Sequence, residues 1–116
     1  MNVVVQGTKQ FDEYNIFLRA MGVALSNMQE NDLEFNVYSV GPVKINSMVS
    51  EFCNLSERGM KSRGKKIRYY KVPFDWVEEN MQHMDYFVFV CKPKEQLSRL
   101  VANAELQNKQ IGVFRY

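Results

Sequence analysis

Short strand-like runs alternate with helix-like stretches from one end of this chain to the other, and that alternation is what most narrows the folds open to it. Val3-Val4-Val5 is a β-branched run stopped by Gly7, and it reads as a first strand buried on both faces at the centre of a sheet. From Asp12 to Met28 the apolar residues Tyr14, Phe17, Leu18, Met21, Ala24, Leu25 and Met28 recur at steps of three and four. That spacing predicts one helix, with Asp12 and Glu13 at its positive end. Asn31-Asp32 turns the chain, and Phe35 to Val40 makes a second strand ending in Ser39-Val40-Gly41-Pro42. Ile45, Met48, Val49, Phe52 and Cys53 form the stripe of a second helix, whose end is blurred by the basic residues around Gly59 and Gly64. Ile67 to Val72 is a third strand, Phe74 to Gln82 a short helix after Pro73, and Tyr86 to Cys91 a fourth strand. Lys94 to Gln107 carries Leu97, Leu100, Val101 and Ala104 on one helical face, and Ile111 to Arg115 is the last strand.

Five strands joined by right-handed helical crossovers predict an α/β fold: a three-layer, Rossmann-like sandwich around a five-stranded, mainly parallel sheet. The preferred strand order is 3-2-1-4-5, ahead of the flavodoxin-like 2-1-3-4-5. With 116 residues and no linker or repeat, residues 1–116 are expected to form a single Rossmann-like domain. Hydrophobic residues at 46% and charged residues at 24% exclude a disordered or fibrous chain. Cys53 and Cys91 lie in apolar segments without metal-ligand or CxxC spacing, so both read as buried free thiols. That suits a reducing cytoplasm. The opening MNVVVQGTKQ lacks the basic and apolar regions of an export signal, and no eighteen apolar residues run together. A cytoplasmic protein without membrane contact is expected.

Both strand orders put a crevice at the carboxyl end of the first strand, where helix N-termini offer free N–H groups to anions. Gly7-Thr8-Lys9-Gln10 supplies close backbone approach, a hydroxyl and a cation there. Ser39-Val40-Gly41-Pro42-Val43-Lys44 and Cys91-Lys92-Pro93-Lys94 bring two further lysine-bearing loops. Gly7, Thr8, Lys9, Ser39, Gly41 and Lys92 are therefore the candidate ligand-binding residues. GxGxxG, GxxxxGK(S/T) and GxSxG are all absent, which disfavours standard dinucleotide, P-loop and α/β-hydrolase chemistry. His83 is the sole histidine and reads as an exposed turn residue, so neither a metal site nor a resident cofactor is expected. Glu78, Glu79 and Asp85 read as solvated carboxylates. Phe17, Phe52, Phe87 and Phe89 belong to the core, Tyr38, Tyr69, Tyr70 and Tyr116 are less fixed, and Trp76 is a packing anchor.

The succession of strand, Gly7-Thr8, long helix, strand, Ser39-Val40-Gly41, helix, strand and Pro73 resembles the SLOG superfamily over nearly the whole chain. This Rossmann-like group includes the YspA-like proteins. The resemblance implies a nucleotide or nucleotide-derived ligand held by the loops after the first strands, with Gly7, Thr8, Ser39 and Gly41 carrying it. The PGGxGT motif and catalytic glutamate of the phosphoribohydrolase branch have no counterpart here. GTKQFDEYNIFLRAMGVALS and NVYSVGPVKINSMVSEFCNLSERGMKSRGKK are also similar to short proteins of tailed bacteriophages. That second resemblance implies a small phage protein in the host cytoplasm.

The leading expectation is thus non-catalytic binding of a nucleotide or nucleotide-derived small molecule, in the manner of a phage-encoded sensor or sponge. A nucleotide-processing hydrolase or transferase is the second reading and needs a placed carboxylate, for which Glu13 is nearest. A structural or interaction module is the third, resting on the Arg58 to Lys71 basic segment and on the apolar Ile111-Gly112-Val113-Phe114 end, which could join a homo-oligomer as an edge strand. Arg58, Lys61, Arg63, Lys65, Lys66, Arg68 and Lys71 read as a solvated loop. Nucleic acid is a less favoured partner for that segment, because the net charge is only +2.

Overall fold

Three consecutive valines, Val3, Val4 and Val5, are each fully buried, and they form the middle of strand β1 (Asn2–Gly7). In the computed structural model, which describes residues 1–116, β1 is the central strand of five. It is flanked by β2 (Glu34–Gly41) and β4 (Tyr86–Cys91), with β3 (Lys66–Lys71) and β5 (Gln110–Arg115) at the edges. The order is β3-β2-β1-β4-β5, and every pairing is parallel, as the sequence predicts. All six residues of β4 are buried, the mark of a strand covered on both faces. The edge strands alternate between exposed and partly buried residues over most of their length.

Helix α1 (Tyr14–Ser26) and helix α2 (Val43–Ser62) cover one face of the sheet. Phe17, Met21 and Ala24 from α1 and Ile45, Val49 and Phe52 from α2 enclose Val3, Val5, Val37 and Val88 in the larger core. The other face carries α3 (Phe74–Glu79), a 3₁₀ turn at Met81–His83, and α4 (Arg99–Leu106). Val77, Met81, Leu100 and Ala104 pack there on Val4 and Phe87. Burying side chains of this size is worth roughly 1.5–3 kcal/mol each, which makes the two apolar layers the main source of stability. Phe17, Phe52, Phe87 and Phe89 are all in the core, as their phases predict.

Several element boundaries depart from the sequence reading. Helix α1 begins at Tyr14, leaving Asp12 in the preceding loop and Glu13 at the N-cap without a side-chain cap bond. Helix α4 begins at Arg99, five residues later than the apolar periodicity suggests. Lys94 adopts φ +83°, outside helical geometry, and Ser98 caps the helix by accepting from the Val101 N–H. Leu97 therefore falls outside the helix and stays 41% exposed. The basic segment is not a loop. It comprises the end of α2, a turn and the edge strand β3. Cys53 and Cys91 are buried and free, and burial pushes the Cys53 thiol up to about 11. No helix is long and apolar enough to cross a membrane.

Candidate functional site

The β1 and β4 strand ends mark the point where connections leave to opposite faces of the sheet, the usual place for a ligand in this architecture. Gly7 ends β1 there, and a Cβ at this position would lie 2.7 Å from Ile45 Cδ1 and 2.9 Å from Val90 Cγ2. Its lack of a side chain lets α2 close on the sheet. The next residue, Thr8, gives its N–H to the Val90 carbonyl at 3.1 Å and its hydroxyl to Glu95 Oε1 at 2.6 Å. The backbone N–H of Lys92 donates to that same carboxylate oxygen at 2.6 Å. Two donors from loops eighty-odd residues apart thus converge on one anionic oxygen.

The connection after β4 is folded down over this point. Arg115 donates to the Glu95 carbonyl at 2.5 Å, and the Ser98 hydroxyl donates to Gln6 Oε1 at 2.5 Å. Lys92 Nζ reaches Asp12 Oδ1 at 2.7 Å, tying the fourth loop to the first. The Thr8 hydroxyl, then the Lys92 N–H, hold the Glu95 carboxyl below its ordinary value, with the Lys92 and Arg115 charges adding to the effect. Asp12 is likewise lowered by its hydrogen bond to Lys92 and that residue's charge, with Lys44 contributing from the second loop. Lys92 is raised, chiefly by its hydrogen bond to Asp12. Lys92, and to a lesser extent Lys44, thus favour the charged form of Asp12.

The six residues predicted from sequence take different parts. Thr8 and Lys92 are brought together on a shared acceptor. Gly7 serves packing. Ser39 is fully buried and donates its hydroxyl to Asn46 Oδ1 at 2.5 Å, facing α2 rather than solvent. Gly41, at φ +108°, shapes the turn into α2, a conformation that favours glycine. Lys9 is exposed and makes no hydrogen bond. His83 is exposed, as expected, while Glu78 binds Arg99 and Asn103 and Asp85 accepts the Asn2 N–H at 2.7 Å.

Sequence reasoning missed Glu95, Asp12 and Asn46 as members of this region. Glu95 was concealed because apolar spacing drew the last helix back to Lys94, and the Ser98 cap is the signal that would have left it in the loop. Alongside, Val43, Asn46, Ser47, Glu51, Asn54 and Lys71 help line an open groove of about 490 Å³ between α2 and the end of β3. No group of three or more His, Cys, Asp or Glu side chains is placed to hold a metal ion. Set against family models, curated proteins and solved structures, the chain matches none of them.

Proposed function

We propose that the protein binds a phosphate-bearing, nucleotide-derived small molecule at the carboxyl ends of β1 and β4, without transforming it. One observation carries this reading: a carboxylate oxygen sits 2.6 Å from both the Thr8 hydroxyl and the Lys92 N–H. A hydroxyl and a main-chain amide aimed at one point suit a phosphate oxygen as well as a carboxylate, since both are strong anionic acceptors. Glu95 then behaves as an internal occupant, and a ligand takes its place by swinging the 93–98 segment outward while Thr8 and the Lys92 N–H stay in place. Lys92 and Arg115, freed from Asp12 and from the Glu95 carbonyl, add positive charge to the opened crevice.

The test is a thermal-shift screen of the full chain against nucleoside monophosphates, cyclic nucleotides and ADP-ribose, followed by mass spectrometry of each stabilising compound. Binding to the folded state alone raises the transition temperature as ligand concentration exceeds Kd. The reading expects a stabilising nucleotide recovered unchanged, with stabilisation reduced in Thr8→Val. A nucleotide recovered cleaved would replace binding by catalysis. Absence of stabilisation by every phosphate-bearing compound at millimolar concentration would remove the proposal.

A further inference from the structure

Seven of the fifteen basic residues, and none of the thirteen acidic ones, fall between Arg58 and Lys71. The rest of the chain keeps eight cations against thirteen acids, so the near-neutral total conceals a strongly polarised molecule. The fold places this segment along one border, from the last turns of α2 through edge strand β3. Within β3, Lys66, Arg68 and Tyr70 alternate onto one exposed face, while Ile67 and Tyr69 turn toward α2. Lys65 is occupied by the backbone carbonyls of Gln29, Glu30 and Asp32. Arg68 meets Glu34 at 3.3 Å with both side chains over 40% exposed, a pairing that solvent and salt keep weak.

The same face bears a row of aromatic rings. Tyr70 stacks on Tyr38 with centroids 5.0 Å apart and planes at 15°, and Tyr38 stacks on Trp76 at 4.9 Å and 26°. Trp76 ends the row on the inner side, where α3 covers Val4. On the outer side Tyr70 is 38% exposed, and β3 has no strand beyond it. Helix α4 packs on β4 and β5, away from this border. A stack of rings thus stops at an open end beside Lys66 and Arg68. A groove of about 380 Å³ on the same border is lined by Glu57, Lys61, Lys65, Lys66, Ile67 and Arg68.

We propose that the β3 border binds single-stranded nucleic acid, an unpaired base stacking on the free side of Tyr70 while the phosphate backbone follows Lys66, Arg68 and Lys61. Aromatic faces accept any base, and a duplex keeps its bases stacked on one another, so single strands are preferred over double strands. Lys61, Lys65, Lys66 and Arg68 outnumber Glu34 and Glu57 along this border and supply the charge complementarity. This site is separate from the β1–β4 crevice and does not depend on it.

The test uses the full chain and a labelled twelve-nucleotide single strand of mixed sequence, read by fluorescence anisotropy, with the same sequence as a duplex for comparison. Trp76, the sole tryptophan, reports the aromatic row through its own emission. If three cations contact phosphates, affinity falls about 20-fold between about 50 and 200 mM salt. Tyr70→Ala weakens binding about tenfold and Tyr70→Phe leaves it unchanged. Lys66→Gln with Arg68→Gln weakens binding and flattens the salt dependence, and serves if Tyr70→Ala does not fold. The proposal is overturned by no binding at about 50 mM salt, by equal affinity for duplex, or by a folded Tyr70→Ala that binds like the parent. Self-association through β3 that nucleic acid does not disperse would also overturn it, in favour of a second copy as the occupant.

Discussion

Glycine at position 7 can be read from sequence as a turn residue, a ligand contact or a packing necessity, and only coordinates separate the three. The Ile45 and Val90 atoms within 3 Å of a would-be Cβ identify packing. Gly7→Ala should cost about 1–3 kcal/mol through overpacking, read as a lowered midpoint in urea. A midpoint equal to the parent would mean that Ile45 yields freely. Glu95 lies at the opposite extreme of legibility, because its role depends on a hydroxyl from residue 8 and an amide from residue 92. Its folded pKa is depressed, so its bonds stabilise the fold above the ordinary value of 4.5 and are lost as pH falls below that through the lower folded value. Asp12, lowered from 3.8 by Lys92, follows the same sign at somewhat lower pH. Hydrogen exchange at the Lys92 amide should accelerate relative to core amides once Glu95 is protonated, and relative protection unchanged between the ionised and the protonated carboxyl would show that Glu95 does not hold the loop.

At the scale of elements, periodicity located every strand and every α-helix, because core-facing residues recur at fixed steps whatever the tertiary context. Boundaries were legible only where a local signal coincided with them. Helix α2 was blurred because exposed Gly59 interrupts the pattern without interrupting the helix, and the cations beyond it suggested loop although they continue into β3. The start of α4 was misplaced because Leu97 fits the helical step while Lys94 cannot adopt helical geometry with φ at +83°. Ser98 both caps α4 and reaches Gln6 in β1. Ser98→Ala should therefore destabilise by about 1–2 kcal/mol, lowering the melting temperature by roughly 4–8 °C. A loss confined to a few tenths of a kcal/mol would place the cap outside the energetics of the fold.

Across the whole molecule, right-handed crossovers left two strand orders open for five alternating strands and helices, and the structure has the preferred one, with the triple-valine strand at the centre. Charge distribution was visible in the sequence as a run, but its meaning was not, since sequence alone does not show that the run becomes a sheet border beside a row of aromatic rings. Cations on an exposed edge also discourage strand-to-strand pairing between copies. Replacing Lys66 and Arg68 together by Val should promote concentration-dependent association, measured by sedimentation, whereas the parent should associate less at equal concentration. Equal association of the two proteins would remove that protective role.

Two-dimensional NMR of the amide groups during titration with AMP and with ADP-ribose, on the parent and on Glu95→Gln, addresses the strand-end site most directly. The Lys92 amide has Glu95 as its bond partner, so it reports exchange of the internal carboxylate for a phosphate. In the parent, the amide resonances of Thr8, Lys92 and residues 94–98 should move together for one of these ligands. Removing the competing carboxylate should lower the half-saturation concentration about tenfold, as expected when the binding-competent state becomes the populated one. Resonances that stay fixed in both proteins, or that move only away from the strand ends, would contradict a phosphate site beneath Glu95.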